Sequence, residues 1–151
     1  MSNKLIKGPQ QNGNDIVIND GSRVYNIKNQ RGEMMGKFAF VPSDIGVSDR
    51  YKHAVKVFEE LQSQLENSTD MSDETMAEIK KKMVDEIDYA FDANVSESFF
   101  KITGPFTLLS NGDFFVVNIF EALRSVIEKE TGVRLEKAKS RASKYTQKYH
   151  K

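Results

Sequence analysis

The chain has no cysteine and no tryptophan, only three prolines and two histidines, no net charge and no long apolar run. Without cysteine there are no disulfides and no thiolate chemistry, whether for metal binding or for nucleophilic attack, a usage that fits a reducing compartment. Two histidines are too few for a multi-histidine metal site. Nothing approaches the ~20 consecutive apolar residues a membrane span needs, and the opening MSNKLIKGPQQNGND lacks the apolar core of a secretory signal. The expectation is a soluble, non-exported, cytoplasmic protein with no membrane partner. The 22 Lys and Arg are balanced by 22 Asp and Glu, so no global field argues for nucleic acid or an acidic surface. Also missing are a Gly-x-Ser-x-Gly elbow, a Gly-x-x-x-x-Gly-Lys phosphate loop and a calcium loop. No cofactor, metal or enzymatic activity is expected.

What is present is aromatic and unevenly placed. A chain of 151 residues fits one domain that removes roughly two-thirds of its unfolded surface from water. Seven of its ten phenylalanines lie between Met83 and Ile127, and large apolar rings dominate whatever core a chain builds. The fold is assembled there. Charge is uneven too: from Arg134 onward seven Lys or Arg face one acid, Glu136, so this end carries +6 and the rest −6. Residues 1–14 read as a mobile arm, 15–132 as a single α+β domain and 133–151 as a basic tail or helix.

Along the chain, Ile16–Ile18 and Arg23–Lys28 are β-prone runs on either side of Asn19-Asp20-Gly21-Ser22, whose Asp-Gly step predicts a hairpin. Lys37–Val41 adds a third strand, reached through the glycine-containing connection Gln30–Gly36 and terminated by Pro42, giving a small antiparallel meander. Ser48 is the expected N-cap of a helix with Tyr51, Ala54, Val55, Phe58, Leu61 and Leu65 on one face. Asn67–Asp70 is its polar exit. Ser72 caps a second helix, with Asp73 and Glu74 in its first turn and Met76, Ile79, Met83, Ile87, Ala90 and Phe91 as its apolar stripe. Ser96 caps a single turn through Phe99 and Phe100, and Gly104-Pro105 breaks the chain. A third long helix opens at Asp113, is apolar on more than one face, and ends at Gly132. A three-helix core behind a meander results.

Two constellations invite chemistry. Asp85, Asp88 and Asp92 share one helix face, where carboxylates can bind a hard cation or pair as acid and base; a carboxylate stripe opposite an apolar one is more often simply solvated, and that reading is preferred. His53 has no second ligand or orienting acid specified by the sequence and reads as a surface histidine. The basic tail interleaves Tyr145 and Tyr149 with Arg134, Lys137, Lys139, Arg141, Lys144 and Lys148. That composition contacts phosphates and stacks on bases, so nucleic acid is a minor alternative. Its charge is also opposite to that of the body, which predicts electrostatic docking on the first two helices.

The spacing Phe38-x-Phe40-x-Pro42-x-Asp44, then Arg50-Tyr51, Phe58 and Leu61, Ile87-Asp88-x-x-Phe91-Asp92, Val95-Ser96, Phe99, and Asn111-Gly112-x-Phe114-Phe115 with Phe120 and Leu123 resembles small tail assembly chaperone-like proteins of tailed phages and prophages. The likeness covers about residues 38–127. It does not extend to the tail beyond Gly132, and Lys101–Pro105 replaces a glycine-rich segment usual in such proteins. The resemblance implies a non-enzymatic assembly factor that coats a helical client such as the tape-measure protein, in the host cytoplasm. Such a factor needs apolar grooves for helices and self-association. The expected interaction surface is Phe99, Phe100, Phe106, Phe114, Phe115, Val117, Ala122 and Val126, with Met71, Met76 and Met83 as adaptable neighbours, although core filling is the better reading of Met76 and Met83. Expected partners are further copies of the chain and a tail or other assembly protein. The alternatives are a structural component retained in the virion, and a small phage-encoded nucleic-acid-binding or inhibitor protein.

Overall fold

Arg23–Lys28 (β1) and Met34–Phe40 (β2) pair antiparallel, with Arg23 opposite Phe40, Ile27 opposite Gly36, and a bulge between Ile27 and Lys28. In the computed structural model, which describes residues 13–67 and 72–140, these are the two strands of the sheet, followed by α1 (Ile45–Asn67), α2 (Asp73–Phe91), α3 (Ser96–Ile102) and α4 (Phe115–Thr131). The architecture is α+β, as expected, but the meander is a single hairpin. Its turn lies one connection later than Asp20-Gly21. The Asn29 side chain accepts the amides of Arg31 (2.9 Å) and Glu33 (3.0 Å), and Gly32 takes the positive φ of 84° that the turn demands. Lys37–Phe40 is thus the second half of β2. Asp20-Gly21 does turn, with Gly21 at φ 78°, but Ile16–Ile18 are exposed and form no strand.

α1 begins three residues before Ser48, because the Asp44 carboxylate receives the Gly46 amide at 3.0 Å and so caps the first turn. It buries Val47, Tyr51, Ala54, Phe58, Leu61 and Gln62. Residues 68–71, including Met71 and most of the expected polar exit, lie outside the described residues. α2 starts as read from sequence: Ser72 Oγ accepts the Thr75 amide at 3.1 Å, and Asp73 and Glu74 complement the dipole. His53 near the start of α1 meets Glu86 near the end of α2, so the two helices run antiparallel.

The connection from α2 to α4 is built by tertiary bonds that sequence spacing does not reveal. Ser96 is the first residue of α3, not its cap. Asp88, one turn before the end of α2, accepts the amides of Val95 (2.8 Å) and Ser96 (2.7 Å) and the Ser96 hydroxyl (2.8 Å). Asp113 likewise does not cap α4. Its carbonyl closes a turn to the Leu109 amide at 2.9 Å, while the carbonyls of Thr107 and Pro105 take the first-turn amides of Phe115 and Val116 at 2.8 and 3.0 Å. α4 therefore starts at Phe115 and ends where Gly132, at φ 75°, returns its amide to Glu128.

One apolar cluster runs from Ile27 to Leu135. Its helical layer is Tyr51, Phe58 and Phe120, with Phe120 edge-on to Tyr51 and 5.7 Å from Phe58. Its second layer joins hairpin to helices: Tyr25, Phe38 and Phe40 stack along one sheet face, Phe38 and Phe40 meet Phe91 edge-on at 5.2 and 5.6 Å, and Phe99 closes the other side at 5.5 Å. Gly36 makes this join possible, because a Cβ there would fall 2.0 Å from Ser98 Oγ and 2.8 Å from its Cβ.

After Gly132 the chain returns across α1 as an extended strap, residues 133–140. Leu135 is buried, the Tyr51 hydroxyl donates to the Glu136 carbonyl at 2.9 Å, Gln62 donates to the Lys139 carbonyl at 3.1 Å, and the Lys139 amide donates to Glu59 at 3.0 Å. Of the seven cations expected to dock the tail electrostatically, Arg134, Lys137 and Lys139 are described, and the other four lie outside the described residues. The strap is seated by its backbone and by Leu135, with its cations turned to solvent.

Candidate functional site

The side chains expected to form an interaction surface are mostly spent on packing. Phe99, Phe100, Phe106, Phe114, Phe115, Val117 and Val126 are half-buried against the core, and Ala122 is exposed. Phe100 meets Phe115 edge-on, and Phe106 lies between Phe58 and Phe114. Buried faces of these rings hold the 103–114 loop; only their outer faces remain.

One of those outer faces lines a groove. Met76, Ala77 and Lys80 on α2 stand across from Gly104, Pro105, Phe106 and Thr107, enclosing about 430 Å³ open to solvent. Met83 is fully buried, whereas Met76 is 39% exposed. The stripe therefore divides: its C-terminal half fills the core and its first turn borders the groove. Walls of Met, Ala, Pro and Phe with one ammonium at the rim suit an apolar side chain flanked by a carboxylate. Ala77 and Lys80 were not singled out by the sequence, and Pro105 only as a helix breaker, because the pairing of α2 with this loop is set by tertiary packing.

A second groove, about 410 Å³, runs between α1 and the strap and is lined by Tyr51, Lys52, Val55, Lys56, Glu59 and residues 134–137 and 139. Of the tail residues expected to make contacts, Arg134, Lys137 and Lys139 are exposed along it; Arg141, Lys144 and Lys148 lie outside the described residues. Lys52 and Lys56, one turn apart on α1, join them. The charge of the tail points to the first two helices, but the backbone and Leu135 contacts that seat the strap on α1 have no signal in the sequence.

Beneath this groove the charges are fixed by hydrogen bonds. Burial pushes the Tyr51 phenol up to about 12 from its ordinary 10.0. The Glu128 carboxylate is held below its usual range first by the Leu135 amide, at 2.7 Å, and then by Arg124, at 3.0 Å. Arg124 also grips Glu121, which raises its own value.

The acidic stripe is not a site of shared chemistry. Asp88 is turned into the α3 cap, Asp85 pairs with Lys81 at 3.0 Å, and Asp92 adopts the left-handed conformation that ends α2. Among the described residues no group of three or more His, Cys, Asp or Glu is placed to hold a metal, and no helix is long and apolar enough to cross a membrane. His53 has the orienting acid the sequence left unspecified: Glu86 lies 2.9 Å from Nδ1, and the Tyr89 ring stands edge-on at 5.2 Å. The trio is exposed and ties α1 to α2. The chain matches no family model, no curated protein and no solved structure.

Proposed function

We propose that the protein is a non-enzymatic assembly factor of a phage or prophage tail, which self-associates and holds a helical client such as the tape-measure protein while the tail is built in the host cytoplasm. The observation that carries this reading is the apolar groove between Met76-Ala77 and Pro105-Phe106. It accepts one or two anchor side chains of an amphipathic helix, with Lys80 at the rim for an acid on the client's polar face. The family resemblance over residues 38–127 supplies the tail-assembly context.

The test is calorimetric titration of the full chain with amphipathic helical segments of a tape-measure protein. Met76→Glu is expected to weaken binding about 10-fold or more, since it places a charge where an apolar anchor must sit, equivalent to at least ~1.4 kcal/mol. Its thermal midpoint should stay within about 2 °C of the parent, as this side chain is already exposed. Unchanged affinity would sink the groove reading. Recovery of the protein in purified particles would favour the alternative of a structural virion component.

The cationic groove favours a second reading, binding of nucleic-acid phosphates by Lys52, Lys56, Arg134, Lys137 and Lys139. Anisotropy with a single-stranded oligonucleotide decides it. Tight binding that falls steeply with salt and is lost in Lys52→Glu/Lys56→Glu would displace the chaperone reading.

A further inference from the structure

The two edges of the sheet are treated differently. β2 is covered on its outer side by α3, where Gly36 lies against Ser98 and Lys101 Nζ donates to the Met35 carbonyl at 3.3 Å. The outer edge of β1 has no backbone partner among the described residues. An open edge is a template for another strand. Just before β1, Ile16, Val17 and Ile18 stand 86%, 64% and 75% exposed, three consecutive β-branched side chains left largely in solvent.

The two segments are complementary in charge. The apolar run is bracketed by Asp15 and Asp20, β1 by Arg23 and Lys28, and both pairs are five residues apart. Laid antiparallel with Ile16 opposite Ile27 and Ile18 opposite Tyr25, Asp15 faces Lys28 and Asp20 faces Arg23, which also pairs with Glu130 of α4 at 3.0 Å. The same register puts Ile16 and Ile18 on the face where Ile27 is buried and Tyr25 half-buried, so they extend the apolar layer. Val17 falls on the outer face beside Asn26. A slip by one residue sends both isoleucines to the wet face and takes each aspartate off its cation. Side-chain face therefore selects one register, and the charges at its two ends agree with it.

The chain does not make this pair with its own β1. Asn19 Oδ1 accepts the Gly21 amide at 3.0 Å and Asp20 Oδ1 accepts the Ser22 amide at 2.9 Å, and the Gly21 backbone lies against Val41 and Ser43 beyond the end of β2. These bonds fix the connecting turn, and the run forms no strand pair with β1. We propose that residues Asp15–Asp20 of one copy add to the β1 edge of a second copy, reciprocally, closing a two-fold strand-exchanged dimer in which each sheet gains a third strand. This names the surface for the self-association in the function proposed above, and rests on that reading only for its purpose.

Because the chain contains no cysteine, introduced thiols report the contact without background. Val17 and Asn26 are directly opposite in the proposed register. Oxidising an equimolar mixture of the Val17→Cys and Asn26→Cys proteins should give a disulfide-linked heterodimer on a non-reducing gel, with neither variant alone cross-linking efficiently. The double variant should likewise form covalent dimers, and light scattering of the parent should give twice 17.2 kDa. Lys28→Asp should weaken dimerisation about 10-fold at low salt, and mixing it with Asp15→Lys should restore it. An internal disulfide in a monomeric double variant means that the strand closes on its own chain, and absence of any disulfide means that it does not pair; either overturns the proposal. Neither measurement involves a client, so failure here leaves the groove to its own test.

Discussion

Asp88 holds the start of α3 although it belongs to an acidic helix face. It sits on the α2 face that also bears Asp85 and Asp92, yet its two oxygens take three donors from the start of α3. Asp88→Ala leaves two backbone amides and a hydroxyl to find other partners, at a cost of about 1–3 kcal/mol. Asp88→Asn keeps an acceptor and should recover part of that. Chemical denaturation of the three proteins checks the order, and an alanine variant as stable as the parent would remove Asp88 from the account. The sequence placed this residue on the correct face but could not distinguish it from Asp85, because the donors arrive from seven and eight residues further on, after a change of chain direction. His53 is a similar case: its helix position was legible, while Glu86 lies 33 residues away on another helix.

At the scale of elements, legibility followed locality. Helices whose ends are decided by neighbours in sequence, such as Ser72 before α2 and Gly132 after α4, were read closely. Elements whose ends are decided across space were shifted: α4 waits until Phe115 because the carbonyls of Pro105 and Thr107 cap it. Of the two hairpins expected, the second forms because the Asn29 side chain closes its turn, while the glycine turn at Asp20-Gly21 pairs no strands. The strap was legible as a basic segment drawn to the first helices by charge, but not as one seated by backbone hydrogen bonds. Its seating predicts a pH window. The Glu128 value is depressed, so its contribution is complete above the ordinary carboxylate range, near 4.5, and is lost as pH falls through the lowered value. The Tyr51 value is raised, so its contribution is complete below 10 and is lost as pH climbs toward about 12. Hydrogen exchange at the Leu135 and Lys139 amides, corrected for the intrinsic rate, should therefore be slowest between about pH 5 and 10. Leu135→Ala should abolish protection of those two amides while α1 and α4 retain theirs, since a strap at the end of the fold opens locally. If the whole molecule lost protection together, the strap would be part of the cooperative core.

Across the whole molecule, the placement of phenylalanine decides how many units unfold. The Met83–Ile127 concentration was visible in the sequence, but its partners were not: Phe91 is met by two aromatic side chains from outside that stretch, Phe38 and Phe40, only because the hairpin folds onto the end of α2. Phe91 and Phe120 belong to different layers, sheet against helix and helix against helix, yet both lie in the one apolar cluster that runs from Ile27 to Leu135. A two-stranded hairpin is marginal alone and draws its stability from what it covers. If the layers are coupled, Phe91→Ala and Phe120→Ala should each cost about 3–5 kcal/mol, the usual loss for a buried ring replaced by a cavity. Both should do so with the urea dependence of the parent unchanged and with one transition seen by tyrosine fluorescence and by far-ultraviolet dichroism alike. Tyr25 lies in the hairpin layer and Tyr51 in the helical layer, so the fluorescence reports on both. A Phe91→Ala protein in which an early fluorescence change precedes loss of helix would show that the hairpin melts as a separate unit. In that case the β1 edge would be a mobile attachment for a second copy, where coupled layers make it a fixed one.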